Sequence, residues 1–159
     1  MLKKQKVDFV SDAKFVKNLK IAIIRTDYYA ELIDSLQLYC TETLISFGVQ
    51  KNHITVFSAP GSWEIPLIAQ EVAKSKKFDA IITFGVIVKG ETYHFDLIAN
   101  ECARALMQIS LNYSIPVAIE ILAVYDIKQA KERTGKNDKN KGIEGATAVL
   151  KALSVLKQI

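Results

Sequence analysis

Cysteine and histidine are scarce in this sequence: each occurs only twice in 159 residues. Cys40 and Cys102 fall in helical patterns, and neither stands at a spacing typical of metal ligands. A disulfide framework and a cysteine-bound metal are therefore poor explanations of these residues. Buried free thiols in a reducing compartment explain them better, and we expect no metal site.

Apolar stretches long enough to cross a bilayer are absent as well. The apolar run at residues 80–88 is far too short, and the N-terminal segment MLKKQKVDFVSDAKF lacks the apolar core of a secretory signal. The net charge of +4 is modest, and no pattern interleaves basic with aromatic residues, which argues against nucleic-acid binding. We therefore expect a cytoplasmic protein with neither a membrane nor a nucleic-acid partner.

Length and composition fit one globular domain. Half of the residues are hydrophobic and 24% are charged, and a chain of this length can build one full core but not two. Residues 19–159 are therefore interpreted as a single domain. Residues 1–18 are polar with scattered apolar positions, which indicates an N-terminal arm that is either loose or adds an edge strand to a partner.

Short apolar runs and helical spacings alternate along the domain. Runs rich in β-branched residues, alternating with helices, form parallel sheets with right-handed crossovers. The pattern therefore predicts an α/β fold, a three-layer flavodoxin-like sandwich with a four-stranded parallel sheet. The predicted strands cover 19–24, 54–57, 80–88 and 117–124, and the predicted helices cover 30–47, 63–73, a stretch from about 94, 126–132 and 143–156.

The loops that leave the carboxyl ends of the four strands should meet at one edge of the sheet, where open α/β sheets bind ligands. Together they offer aromatic rings, helix N-termini, one imidazole and two cations, which suit a flat polar ring carrying a phosphate. In chain order their candidate residues are Tyr28, Ser62, Trp63, Glu64, Glu91, Thr92, His94, Arg133 and Lys141.

Each of these residues also has an ordinary structural explanation. Tyr28 could cover the sheet edge, Trp63 could anchor the core, and Glu64 could complement a helix dipole. His94 could be a helix cap, and the two cations could be solvated surface charges. Only their convergence on one edge favours a site.

Four motifs also carry a resemblance to a known family. They are PGSWEIP at residues 60–66, the segment 85–90 followed by Thr92, His94 and Asp96, the segment 129–133, and NKG at residues 140–142. From about residue 19 to the C terminus the chain resembles the 6,7-dimethyl-8-ribityllumazine synthases, which act at the penultimate step of riboflavin biosynthesis.

The resemblance implies a condensation that needs no cofactor. The substrates would be 5-amino-6-(D-ribitylamino)uracil and 3,4-dihydroxy-2-butanone 4-phosphate, with phosphate and water released. His94 would be catalytic and would shuttle protons. The implied substrate contacts are Tyr28 on the pyrimidine, Ser62, Trp63 and Glu64 on the ribityl chain, backbone groups of Val86, Ile87 and Val88 on the ring edges, Glu91, Thr92 and Arg133 on the phosphate, and Ile119 and Lys141 from a neighbouring subunit.

The chain departs from the family pattern at several positions. The first loop reads Thr26-Asp27-Tyr28-Tyr29, where a small residue and an arginine usually precede Phe or Trp and then Asn. Ile119 stands where an aromatic residue often closes the ring sandwich, and Glu120 stands where a small residue is usual. An alternative therefore stays open: a non-catalytic homologue that binds flavins or lumazines or forms shells.

The resemblance further implies an oligomer built on a pentamer. An arm with apolar Val7, Phe9 and Val10 could pair with the edge of an adjacent sheet. The connector at residues 134–142 has the length found in shell-forming relatives, so we expect a shell of sixty chains more than a bare pentamer. Its charged residues are unusual at a position where pentamers would meet.

Overall fold

The computed structural model describes residues 12–159, and the arm positions Val7, Phe9 and Val10 lie outside this range. The strands are β1 Ile21–Thr26, β2 Ile54–Ala59, β3 Ala80–Val88 and β4 Val117–Val124. The α-helices of the described residues are α1 Ala13–Asn18, α2 Ala30–Ser46, α3 Ile65–Ser75, α4 His94–Tyr113, α5 Ile127–Thr134 and α6 Lys141–Leu156. Short 3-10 turns precede β2 and α3, at Lys51–His53 and Ser62–Glu64.

The four strands form one parallel sheet in the order β2-β1-β3-β4. β3 lies at the centre, and its burial is complete from Ala80 to Val86, as its β-branched sequence predicts. Helices cover both faces of this sheet, which confirms the predicted three-layer α/β sandwich.

One apolar layer lies between the sheet and helices α1, α2 and α6. Successive side chains alternate across a strand. The residues that point to this face have odd numbers in β1 and even numbers in β3 and β4. The largest fully buried members are Ile21, Ile23, Ile33, Leu36, Leu44, Ile82, Phe84 and Leu150.

The second apolar layer lies between the opposite face of the sheet and helices α3 and α4. It is smaller, and alanines let the helices approach the strands closely. Its members include Ala22, Ile24, Ile65, Ala69, Ile81, Leu106 and Ile109. This layer supports the loops that carry Trp63 and His94.

The N-terminal segment differs from the prediction where it is described. Residues 13–18, assigned by sequence to a loose arm or edge strand, form helix α1, with the Asp12 side chain accepting the N–H groups of Lys14 and Phe15. Val16 is completely buried in the first layer. This part of the segment therefore packs on the domain.

Two element boundaries also shift. The first strand begins at Ile21 and not at Leu19, because the N–H of Leu19 bonds the carbonyl of Val16 at the end of α1. The last helix begins at Lys141 and not at Ile143, because the Asn140 side chain accepts the N–H groups of Gly142 and Ile143. The other strands and helices match their predicted positions within two residues.

Glu120 is a buried carboxylate in the first layer, with 9% of the residue exposed. Burial raises its pKa from 4.5 to about 7, while Lys141 lowers the pKa and Glu144 raises it further. A glycine makes room for it, since a Cβ atom at Gly145 would lie 2.9 Å from Cγ of Glu120. Burial raises the pKa of the Cys40 thiol, and the charge of Glu120 raises it further.

None of the helices in residues 12–159 combines the length and the apolar character that crossing a bilayer requires.

Candidate active site

Loops at the carboxyl ends of β1, β2 and β3 enclose an open cleft of about 460 Å³, beside the start of α4. Parallel strands bring these loops to one edge, as expected for an open α/β sheet. Of the residues predicted from the sequence, those that line the cleft are Tyr28, Ser62, Trp63, Glu64, Val86, Ile87, Val88 and His94.

The end of β3 supplies free backbone to this cleft. The ladder between β1 and β3 stops at the pair Arg25 and Phe84, whereas β3 continues to Val88. Within residues 12–159, that last part of β3 pairs with β4 alone. Backbone N–H and C=O groups of Val86–Val88 on the β1 side therefore face the cleft and can bond the polar edge of a ring.

Ser62 sits against β3 because residue 85 has no side chain. A Cβ atom at Gly85 would lie 2.6 Å from Oγ of Ser62, so any larger residue there would push the serine away. On its other side the Cys102 thiol donates to the carbonyl of Ser62 at 3.2 Å. Burial raises the pKa of Cys102 to about 11, with Glu64 and Glu101 adding to the rise, so the thiol stays protonated and keeps donating at neutral pH.

Three aromatic side chains at the cleft are exposed, and Tyr29, at 46%, is the least exposed of them. Trp63 is 52% exposed and Tyr28 is 67% exposed, so Trp63 does not anchor the core. The Tyr28 ring rests beside the loop after β2, since a Cβ atom at Gly61 would lie 3.8 Å from Cε2 of Tyr28. Exposed rings beside a cleft offer a stacking surface for a flat ligand.

His94 is the first residue of α4, and its exposed imidazole lines the cleft. No side chain among residues 12–159 caps this helix, whose N-cap residue is Tyr93. Its first N–H groups and the positive end of its dipole are thus available to an anion. Lys89 adds a cation nearby, with Nζ 3.8 Å from Oδ2 of Asp96 and 5.5 Å from the ring centre of Phe95.

The remaining predicted residues lie outside this cleft within one chain. Glu91 and Thr92 occupy the exposed turn before α4, and Ile119 packs partly buried against the α3 and α4 layer. Arg133 donates from Nη1 to the carbonyl of Gln129 at 2.9 Å, and Lys141 donates from Nζ to Oε2 of Glu144 at 2.8 Å. A single chain therefore carries one side of the predicted site.

Three further residues line the cleft that were not among the predicted substrate contacts: Tyr29, Gly61 and Ile98. Ile98 lies one helical turn after His94, so the spacing of four residues could have placed it on the same face. Tyr29 and Gly61 belong to the loops already identified, but their exact contribution depends on how those loops turn.

A larger cleft of about 690 Å³ lies at the amino edge of the sheet and includes His53, Lys20, Lys76 and Lys77. His53 directly precedes β2, so it lies away from the carboxyl edge. Surface lysines lie at this edge. Among the described residues, the edge has neither an exposed aromatic ring comparable to Tyr28 nor the N-terminus of a long helix. The cleft at the carboxyl edge is the better candidate for chemistry.

The chain also matches a family model over nearly its full length. The model for 6,7-dimethyl-8-ribityllumazine synthase covers residues 18–157, which include every strand and every residue of the cleft. A match of this extent shows the family and agrees with the observed fold. The chain belongs to the 6,7-dimethyl-8-ribityllumazine synthase family, whose members are enzymes of riboflavin biosynthesis.

Proposed function

We propose that this protein condenses 5-amino-6-(D-ribitylamino)uracil with 3,4-dihydroxy-2-butanone 4-phosphate, giving 6,7-dimethyl-8-ribityllumazine, inorganic phosphate and water. One observation supports the proposal: a single cleft is lined by an imidazole at an uncapped helix start of the described chain and by three exposed aromatic side chains. The reaction uses no cofactor and no metal.

The pyrimidine substrate occupies the aromatic side of the cleft. Tyr28 stacks on its ring, and the open backbone at Val86–Val88 bonds the polar ring edge. Ser62, Trp63 and Glu64 hold the ribityl chain, whose hydroxyl groups need both donors and acceptors.

His94 transfers protons during the condensation. Imine formation and loss of phosphate each need one group that both gives and takes a proton near neutral pH, which is the property of imidazole. His94 lines the cleft, so it can reach a substrate amine and the adjacent carbon chain there. Most of the acceleration comes from holding two substrates together, because the reaction is bimolecular.

The phosphate of the second substrate lies at the start of α4. The N–H groups of the first turn and the amides of Glu91 and Thr92 bind its oxygens, and the helix dipole stabilises charge on the leaving group. Arg133 pairs with the same phosphate through charge-assisted hydrogen bonds. Because Arg133 lies outside the cleft of its own chain, it comes from a neighbouring subunit.

The complete site therefore forms between subunits, with Arg133, Lys141 and Ile119 supplied by the neighbour. We propose a ring of five chains, and a closed shell of sixty chains over the bare ring. Exposed apolar side chains on α4, Leu97, Met107 and Leu111, provide surface for such contacts. Light scattering after size exclusion should give the mass of sixty chains. A mass near five chains would contradict only the shell, and a mass near one chain would contradict the shared site.

A second candidate is a homologue that binds flavins or lumazines, or forms shells, without turnover. Ile119 favours it, because this partly buried side chain packs into its own core and places no aromatic ring opposite Tyr28. A one-sided stack binds a ring less firmly and holds the two substrates less well for reaction.

A turnover assay separates the two candidates. The purified protein is mixed with both substrates and the absorbance of the lumazine product is followed, with each substrate omitted in turn. Product that requires both substrates and the protein supports the synthase. Binding of the lumazine without product formation supports the second candidate, and neither binding nor turnover would contradict both.

A further inference from the structure

The loop that carries Tyr28 is held by contacts on both sides of that residue. Before it, Asp27 lies between two partners: Oδ2 accepts from Oγ of Ser58 at 3.1 Å, and Oδ1 lies 3.9 Å from Nη2 of Arg25. Ser58 and Arg25 are register neighbours in β2 and β1. The carboxylate of Asp27 therefore lies between the carboxyl ends of β1 and β2.

Arg25 is itself fixed by helix α2. Its Nη1 donates to Oδ1 of Asp34 at 2.6 Å and to Oε1 of Gln37 at 2.8 Å, and only 14% of its side chain is exposed. Both hydrogen bonds come from the same nitrogen, and together with the burial of the side chain they hold the guanidinium group against α2. Asp27, whose side chain is 74% exposed, thus forms a 3.9 Å ion pair with an arginine that is anchored to α2.

Tyr29 fixes the other side of the loop. Its φ is 57°, a left-handed conformation that is uncommon for a bulky residue and persists only where its surroundings determine it. Its carbonyl accepts the N–H groups of Leu32 and Ile33 at 2.9 and 3.1 Å, which starts α2. The backbone of Tyr28 therefore runs between two anchored neighbours.

Fewer contacts hold the exposed ring of Tyr28 than hold its neighbours Asp27 and Tyr29. It is 67% exposed and lies beside Gly61, where a Cβ atom would make only an ordinary contact of 3.8 Å with Cε2 of the ring. The direction of the ring must then depend mainly on the backbone that carries it.

We propose that Arg25, Asp27 and Ser58 form a clamp that preorganises Tyr28 for stacking on the pyrimidine ring of the substrate. This inference rests on the proposed function. The three residues are positioning residues, since they act through Tyr28 and do not touch the substrate. Without the clamp, ordering the ring would cost free energy when the pyrimidine binds. The aminopyrimidine would then bind less tightly, whereas binding of the phosphorylated substrate would not change.

A double-mutant cycle tests the clamp. Asp27→Ala should raise the KM for the aminopyrimidine by about 2- to 12-fold, the equivalent of immobilising one side chain. The kcat and the KM for the phosphorylated substrate should stay unchanged. Tyr28→Ala should raise the same KM further, and adding Asp27→Ala to it should have no additional effect, because the clamp then has no ring to position.

Two more variants make the result specific. Asp27→Asn keeps an acceptor for Ser58 but loses the charge that faces Arg25, so its KM should fall between those of the wild type and Asp27→Ala. Glu31→Gln removes an acidic group in the exposed first turn of α2 and should leave every kinetic constant unchanged. If the increases in KM caused by Asp27→Ala and Tyr28→Ala multiplied in the double mutant, the proposal would be overturned.

Hydrogen exchange gives a readout that does not depend on activity. In Asp27→Ala, the peptide that contains Tyr28 should exchange faster than in the wild type, while the peptide that contains His94 should be unchanged. Unchanged exchange around Tyr28 would overturn the clamp even in an active enzyme. A wild type without turnover, combined with faster exchange in Asp27→Ala, would contradict the proposed function and leave the clamp as a structural device.

Discussion

Gly145 of α6 lies directly against the buried side chain of Glu120 in β4, with 2.9 Å between a Cβ atom built at position 145 and Cγ of the acid. Gly145→Ala should therefore lower the free energy of unfolding by about 1–3 kcal/mol, as overpacking of a core does. The loss should be much smaller in a Glu120→Ala background. Urea unfolding at fixed chain concentration measures it, and Gly90→Ala is the control, because a Cβ there meets nothing within 4 Å. Equal losses in both backgrounds would contradict the contact.

Glu120 should also make the stability of the fold depend on pH. Its pKa in the folded chain is raised from 4.5 to about 7 by burial, against the opposite effect of Lys141. A raised pKa means that the folded state holds the proton more tightly. The stabilisation is complete below pH 4.5 and is lost as the pH rises through 7.

The expected loss at alkaline pH is about 3 kcal/mol relative to acid conditions, from the size of the shift. Glu120→Gln should remove this pH dependence and unfold at higher denaturant concentration than the wild type at pH 8.5. The charged or titratable groups near the acid, Cys40, Lys141 and Glu144, are present in both proteins. A wild type and a variant with parallel stability profiles from pH 5 to 8.5 would show that Glu120 does not titrate as described.

His94→Ala should lower kcat while leaving both KM values nearly unchanged. A general acid and base contributes about 10²- to 10⁴-fold, and the low end is expected here because holding the two substrates together supplies most of the acceleration. Steady-state kinetics with both substrates measures the change. His53→Ala is the matched control, since His53 lies at the opposite edge of the sheet. An unchanged kcat in His94→Ala would contradict the role given to the imidazole.

Arg133→Ala should raise the KM for the phosphorylated substrate by about 10- to 100-fold, because hydrogen bonds to a charged group contribute about 1.5–3 kcal/mol. The KM for the pyrimidine should move much less. Lys131→Ala, an exposed cation on the same helix, should change neither value. If Arg133→Ala raised both KM values equally, the residue would support the subunit contact and not the phosphate.

Sequence patterns predicted the centre of this fold well because the strands there have sharp chemical borders. β3 is bounded by Asp79 and by Lys89-Gly90, and β4 by Pro116 and Tyr125, so their limits follow from composition alone. Helix α1 was missed because six residues with three apolar positions are too few to show a clear period. It is stable because Val16 is buried, which is a tertiary effect.

The position of the site was predictable for a similar reason, since parallel strands bring their following loops to one edge. The conformations within those loops were not. Asp27 contacts Ser58 in β2, which is distant in sequence. The left-handed conformation of Tyr29 is set by the turn itself and by its partners in α2. No local pattern encodes them.

The central claim is a site shared between two chains, and mixing two impaired variants tests it most directly. His94→Ala and Arg133→Ala proteins are dissociated, combined in equal amounts and reassembled, and lumazine formation is measured at low concentration of the phosphorylated substrate. If each site takes His94 from one chain and Arg133 from its neighbour, the mixture should recover about one quarter of the wild-type activity, because random assembly makes that share of sites intact. Activity no higher than the mean of the two parents would contradict the shared site.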